Sequence, residues 1–174
     1  AFYLTGSSSK NVITPHTGTL RISKIAMYPM SLYESGESNG SVSLKELFDN
    51  PSSFKACKSD LSFDDMIFAI CRGGWPRFLI SKTKRAELLV AKDLFEQTYS
   101  KDISSIDGVN RNPTISRLLM QSYARNICTL ADNKTIIRDI NSNYPISETT
   151  YFDYVGALEK LYIIQDLEAW CPSI

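Results

Sequence analysis

The sequence predicts a mainly α-helical chain with some β-structure (class α+β), in which a small strand segment, a helical connector and a C-terminal winged helix-turn-helix follow one another. Two observations predict this class. Three helical patterns succeed one another between residues 112 and 161, and a run rich in β-branched and aromatic residues follows at 162–167. Two candidate strands precede the first helical pattern of the chain. We therefore divide the chain into three parts, residues 1–41, 42–111 and 112–174.

Residues 1–41 hold the two candidate strands. Residues 1–6 form a short apolar run that ends in a polar cluster, Thr5 to Ser9, as a buried parallel strand does at its C-terminal end. Partial alternation over residues 19–27 predicts a second strand. Because such a strand needs neighbours to pair its backbone, we expect the rest of the sheet to lie upstream of residue 1.

Residues 42–111 are predicted to form a helical connector. The spacing Ser43-x-x-Glu46 is a capping box that predicts a helix start, and Ser62-x-x-Asp65 repeats the signal. The pair Gly73-Gly74 predicts the end of the second helix. The predicted helices of the connector, followed by its predicted linker, are residues 44–48, 63–71, 82–99 and 104–111.

Residues 112–174 are predicted to form the winged helix-turn-helix. Asn112 is the expected N-cap of the first helix and Pro113 its first residue, where the missing N–H does no harm. A short second helix is predicted at 134–140, and Ser147 is the expected N-cap of the third. The strand-like run 162–167 supplies the wing. Helix, short helix, turn, helix and strand is the order of this fold.

Composition and charge exclude several classes of protein. Nineteen basic residues balance nineteen acidic ones, so no global field indicates nucleic acid or membrane as the partner. No apolar run has the length of a membrane span, and no signal peptide is visible. The cysteines lack any C-x-x-C spacing, which favours reduced thiols in the cytoplasm. Since His16 is the one histidine, we expect no metal site.

Several sequence motifs occur in a characteristic order along nearly the whole chain. They are LTGSSS at 4–9, HTGTLRI at 16–22, PMSLYESGESNGSVSLKELF at 29–48, GGWP at 73–76, ARNICTLADNKTI at 124–136 and ISETTYFDYVGALEKLYIIQDLEAWCPS at 146–173. Together they resemble prokaryotic AAA-type P-loop ATPases whose C-terminal half is a domain of unknown function. In that family the phosphate-binding loop and the magnesium-binding strand precede LTGSS, and neither is in this sequence. The resemblance therefore implies a middle fragment of an ATPase, with its nucleotide-sensor strand and winged helix, that is not catalytic in isolation.

The resemblance also implies roles for individual residues. Thr5, Ser7 or Ser8 would be the polar sensor near the γ-phosphate, with Ser7 placed among the catalytic groups and Thr5 and Ser8 among the nucleotide-sensing ones. Arg21 would stabilise charge on the transferred phosphoryl group. The alternatives are a Ser/Thr strand end that caps its own turn and a salt-bridged strand arginine. The family's glycine before that arginine is Leu20 here.

The resemblance further implies the cofactors and partners. ATP and magnesium would belong to the longer protein, and we expect neither in this fragment alone. The upstream ATPase domain of the same chain would be the main partner. If Arg21 acts in trans, the protein must also form a homo-oligomer. No membrane partner is expected.

The helix that would read DNA has an unfavourable charge for that task. Residues 147–160 carry three acidic side chains against one lysine, whereas phosphate contacts require basic ones. The candidate DNA-binding residues, should this helix nevertheless contact DNA, are Thr149, Thr150, Tyr154 and Arg138.

Gly156 lies in the middle of the same predicted helix. Glycine costs about 1 kcal/mol there relative to alanine, which predicts close packing against a neighbour. Both observations favour a protein-interaction or domain-packing role. The alternative to the ATPase fragment is therefore a winged-helix module that binds DNA or protein and has no ATPase role.

Overall fold

The computed structural model describes residues 25–53 and 57–167, and this part of the chain is mainly helical, with no β-strand in it. The α-helices are α1 (Leu44–Asp49), α2 (Phe63–Arg72), α3 (Lys84–Gln97), α4 (Ile103–Ser105), α5 (Pro113–Arg125), α6 (Asn133–Asn141) and α7 (Glu148–Lys160). Two 3₁₀ turns, Pro51–Ser53 and Pro76–Ile80, and a π-helical turn, Thr98–Asp102, complete them. None of these helices is long and apolar enough to cross a membrane.

The described residues fall into two compact units, which meet in sequence between Leu94 and Phe95. In the first unit the predicted starts of α1 and α2 are confirmed, because the Ser43 and Ser62 hydroxyls accept the N–H groups of the residues three positions on. Gly73 ends α2, as predicted. Its neighbour Gly74 is required by a close approach, since a β-carbon there would lie 2.3 Å from the carbonyl oxygen of Met30.

Arg72 lies at the centre of the first unit. Its guanidinium group is buried, donates to both carboxylate oxygens of Glu37 at 2.9 and 2.8 Å, and lies 3.6 Å from the centre of the Phe78 ring. Glu87 approaches from α3 at 3.8 Å. The hydrophobic core around it is thin, since Ala69 and Phe78 are the buried hydrophobic residues among those described in this unit.

The second unit is built around α5, α6 and α7. Each N-cap side chain accepts a backbone N–H: Asn112 accepts that of Thr114 at 2.8 Å, and Ser147 accepts that of Thr150 at 3.1 Å. The apolar faces of the three helices and of α4 form one core: Ile103, Ile115, Leu119, Ile136, Ile140, Tyr151, Tyr154, Val155, Ala157 and Leu158. The three-helix order predicted from the sequence is thus present.

The strand predicted at residues 162–167 is absent. These residues form a turn and an irregular segment, because the chain closes α7 with a Schellman motif. Ile163 donates its N–H to the Leu158 carbonyl at 3.0 Å, and Tyr162 donates to Glu159 at 3.0 Å. Tyr162 adopts a left-handed conformation with φ of 58°, which no β-strand uses. The wing of the predicted winged helix is therefore not present in residues 162–167.

The predicted N-terminal strands lie almost entirely outside the described residues. Residues 1–6 and 19–24 are in the part that the structure does not describe, and residues 25–27 form no strand. The remnant of a larger sheet thus stays a prediction.

Residues 104–111, predicted as a linker, are folded rather than extended. Arg111 at their end is 4% exposed, and its backbone N–H donates to the Ser104 hydroxyl at 3.0 Å.

Candidate interaction surface

Helix α7 has a buried face and an exposed face, and the exposed one is the candidate site. The buried face carries Tyr151 and Leu158 into the core. We call the residues on the opposite side the outer face of α7: Thr149, Phe152, Asp153, Gly156 and Lys160, spaced so that they share one side of a helix. Phe152 is 48% exposed, yet its ring is fixed edge-on against that of Tyr151, with 5.2 Å between ring centres. The outer face thus presents an aromatic side chain that contacts the core residue Tyr151.

Gly156 lies next to Phe152 on this face and borders open space. A β-carbon built on Gly156 would meet no heavy atom within 4 Å. The prediction that Gly156 packs closely against a neighbour is therefore wrong for the described part of the chain. Its helical conformation does not require glycine either, since its φ is not positive. A flat strip beside Phe152 is left uncovered.

Arg111 fixes α7 to the segment before α5. Its side chain is 2% exposed. Its guanidinium donates to both carboxylate oxygens of Asp107 at 2.7 and 2.8 Å, and to both of Asp153 at 2.9 and 3.0 Å. The fifth N–H donates to the carbonyl oxygen of Ile103 at 2.8 Å. All five donors of the guanidinium are therefore used, and two of them hold the carboxylate of Asp153.

The contacts within this cluster shift the pKa values of Asp107 and Arg111. Hydrogen bonds from Arg111 hold the pKa of the Asp107 carboxyl well below its usual range. The same contacts raise the pKa of the Arg111 guanidinium. Lys160 adds a weaker attraction at 3.7 Å from Asp107. The role of the cluster is to hold α7 against the segment before α5.

The four residues predicted to contact DNA lie in different environments. Thr149 is exposed on the outer face of α7, and Arg138 is exposed on α6. Thr150 is half-buried and bonds to the Ser147 hydroxyl at 2.8 Å, within the helix cap. Tyr154 is buried, and its hydroxyl accepts the N–H of Asn112 at 2.7 Å. Only Thr149 and Arg138 are thus open to a partner in this conformation.

Tyr154→Phe should lower the free energy of unfolding of the second unit by about 1 kcal/mol, because the Asn112 N–H loses its acceptor while ring packing is kept. Amide exchange of α5 and α7 measures this. Phe152→Tyr is a matched control that adds a hydroxyl at an exposed position and should change stability little. A loss of duplex-DNA affinity in Tyr154→Phe at unchanged stability would contradict the structural role.

The residues tied to ATP hydrolysis cannot be placed in this site. Thr5, Ser7, Ser8 and Arg21 lie outside the described residues. The described residues also contain no group of three or more histidine, cysteine, aspartate or glutamate side chains suited to a metal ion.

Two features of the surface escaped sequence reasoning. The sequence predicts that Arg111 ends a linker, although an aspartate and a glycine at 107–108, followed by an arginine four residues after the aspartate, also fit a turn closed by an ion pair. Phe152 stands between Tyr151 and Tyr154, and the sequence does not separate this exposed ring from its two buried neighbours. Neither role depends on local sequence alone, since Asp153 is 42 positions from Arg111.

Comparison with known proteins gives one family. A protein-family model described as Domain of unknown function (DUF8612) matches residues 63–174, which include α2 through α7. No curated protein and no solved structure matches the chain. Nothing in these comparisons indicates an AAA-type P-loop ATPase family.

Proposed function

We propose that this chain, which belongs to the family described as Domain of unknown function (DUF8612), is a helical binding module whose outer face of α7 docks a protein partner. The observation that carries the proposal is the open strip at Gly156 beside the exposed ring of Phe152. The module has no chemistry of its own in this proposal.

The open glycine supports close approach by another backbone. A mid-helix glycine costs about 1 kcal/mol relative to alanine, and no described residue packs against Gly156 to compensate. A partner helix laid across that strip would meet no β-carbon and would come close enough to contact Phe152. Exposed aromatic side chains in the centre of such a patch are common anchors of protein interfaces.

Several features favour a protein over duplex DNA. The sequence of α7 contains Glu148, Asp153 and Glu159 against Lys160 alone, and phosphates would be repelled by that balance. Asp153 is held in place by two hydrogen bonds from Arg111. Arg138, the exposed basic residue among the candidate DNA contacts, lies on α6 and not on α7.

The decisive experiment is site-specific crosslinking in cells that express the full-length protein. A photoreactive phenylalanine analogue placed at position 152 should give a discrete protein adduct. The same analogue at Ile127, which is 73% exposed in the loop after α5, serves as the matched control and should give none. An adduct to nucleic acid, or equal protein adducts from both positions, would overturn the proposal.

Gly156→Ala separates docking from folding. The change should raise the free energy of unfolding by about 0.5 to 1 kcal/mol, since a methyl group improves helix propensity and clashes with nothing. It should also lower the yield of the adduct from position 152, because the added methyl group holds the partner off the strip. A more stable variant with undiminished adduct would show that the strip is not where the partner docks.

The ordered motifs support a second candidate function. We propose that the chain is the sensor-strand and C-terminal portion of a longer AAA-type ATP-binding protein, cytoplasmic, with ATP and magnesium bound upstream. Its catalytic candidates are Ser7 and Arg21, with Thr5 and Ser8 as sensors, and a wing would complete the C-terminal fold. ATP turnover by the longer protein tests this, since Arg21→Ala should lower the rate by about two orders of magnitude if its guanidinium meets the γ-phosphate. Absence of turnover in the unaltered longer protein would remove this candidate and leave the docking role intact.

A further inference from the structure

A groove of about 330 Å³ lies in the second unit, away from the outer face of α7. It is lined by Tyr99 of the π-helical turn and by five residues from the first three turns of α5: Pro113, Thr114, Arg117, Leu118 and Gln121. The volume is at the lower end of the range for small-molecule sites. The lining combines the apolar surfaces of Pro113, Leu118 and the Tyr99 ring with a few polar groups, the guanidinium of Arg117, the amide of Gln121 and the hydroxyls of Thr114 and Tyr99, which is the mixture found in small-molecule sites.

Arg117 lines the groove and has no protein partner among the described residues, whereas Arg138 on α6, which also has none, does not line it. Arg111 is saturated by carboxylates, and Arg125, two turns further along α5, pairs with Asp139. Arg117 is exposed and makes no hydrogen bond or ion pair with the residues described. A guanidinium left free at the edge of a groove has its planar fork available for a carboxylate or a phosphate.

The opposite wall is shaped by an uncommon backbone feature. The five residues Thr98–Asp102 form a π-helical turn between α3 and α4. Such turns are rare and are found frequently at functional sites. Tyr99 lies in this turn and is half-buried, with its ring held edge-on by Phe95 at 5.1 Å between ring centres. The turn therefore supplies an aromatic wall to the groove, beside the side chains of α5.

We propose that this groove binds a small ligand that carries an anionic oxygen group, a carboxylate or a phosphate, on a ring-sized apolar body. Arg117 would take the anionic group through its two-pronged face, and Thr114 and Gln121 would add hydrogen bonds to it. Tyr99 and Leu118 would cover the apolar body. Neither the anion nor the ring alone uses both halves of the groove.

The test is an NMR titration of the whole chain with four probes: phenyl phosphate, benzoate, inorganic phosphate and benzyl alcohol. The first two should give saturable shifts at the amides of Thr114, Arg117 and Gln121. Inorganic phosphate and the neutral alcohol should each bind at least about tenfold more weakly, because each lacks one half of the contacts. Of the first two, the tighter probe identifies the anionic group.

Matched arginine variants decide whether the groove is the site. Arg117→Gln should lower the affinity for phenyl phosphate and benzoate at least about tenfold, the size of one lost charged contact. Arg125→Gln, on the same helix, should leave it unchanged, and unaltered amide spectra elsewhere would show that both variants fold. Equal binding by Arg117→Gln, equal binding of benzyl alcohol, or no saturable shift in the unaltered chain would each overturn the proposal.

Discussion

Arg111→Met should lower the free energy of unfolding of the second unit by about 3 kcal/mol, the scale for breaking a buried ion pair by removing one partner. The methionine fills part of the space but donates no hydrogen bond. The Ile103 carbonyl loses its donor, and two carboxylates, Asp107 and Asp153, lose the guanidinium that they shared, with Lys160 left 3.7 Å from Asp107. Amide exchange of the most protected residues of α5 and α7 measures the change.

The same substitution at Arg125 is the matched control. Arg125 is also paired, with Asp139, but its side chain is 55% exposed. An exposed pair contributes about 0 to 1 kcal/mol, so Arg125→Met should have a much smaller effect than Arg111→Met. Equal effects of the two substitutions would contradict the view that Arg111 is the structural centre of this unit.

The Arg111 cluster should also make the unit sensitive to acid. The folded pKa of Asp107 is lowered by Arg111 below the unfolded value of 3.8. Its contribution is therefore complete above that value and is lost as the pH falls below it towards the lowered folded pKa. Arg111→Met should lose this part of the acid dependence. The free energy of unfolding is measured against pH below about 4, near the pKa of an unfolded carboxyl group. Identical slopes in the unaltered protein and in Arg111→Met would show that another carboxylate is responsible.

Arg72→Met should lower the free energy of unfolding of the first unit by about 2 kcal/mol, through the lost pair with Glu37 and the lost contact with the Phe78 ring. The effect is smaller than for Arg111 because one carboxylate rather than two is held bidentately. The substitution is nevertheless large relative to the thin core of this unit. Amide exchange in α2 and α3 reports it.

Lys84→Met provides the comparison for Arg72→Met. Lys84 also pairs with an acid, Asp65 at 2.9 Å, and also lies over an aromatic ring, that of Phe68 at 4.8 Å. Its side chain is 68% exposed, so water already screens the pair and its loss should change stability by less than about 1 kcal/mol. If Lys84→Met proved as harmful as Arg72→Met, burial would not be what gives Arg72 its effect.

The helices of the second unit were predictable because their signals are local. Asn112, Asp132 and Ser147 are helix-capping residue types, and each accepts the N–H of a residue two or three positions ahead. The apolar spacing that follows each cap is also read over a few turns. Signals that act within four residues do not depend on the rest of the fold.

The false strand at 162–167 has a specific cause. A helix that ends in a Schellman motif usually places glycine in the left-handed position, and this chain places Tyr162 there. Without glycine the sequence gives no stop signal. The β-branched and aromatic residues after it then suggest a strand whose pairing partner the described residues do not contain.

The sequence likewise does not predict what surrounds Gly156. A mid-helix glycine predicts close packing, and the pattern cannot say whether the neighbour is in the same chain. The structure shows open space instead, and this difference is what identifies a candidate surface. Arg117 is similar, because nothing in the sequence separates an arginine without a partner from Arg125, which has one.

The contacts of Arg111 decide where the second unit can be lengthened or cut. Residues 103–111 are tied at both ends, since the Ile103 carbonyl and the Asp107 carboxylate meet one guanidinium at residue 111. An epitope tag inserted there would pull these atoms apart. Residues 127–131, by contrast, are fully on the surface, so a tag or a protease site placed among them should be accepted without loss of the fold.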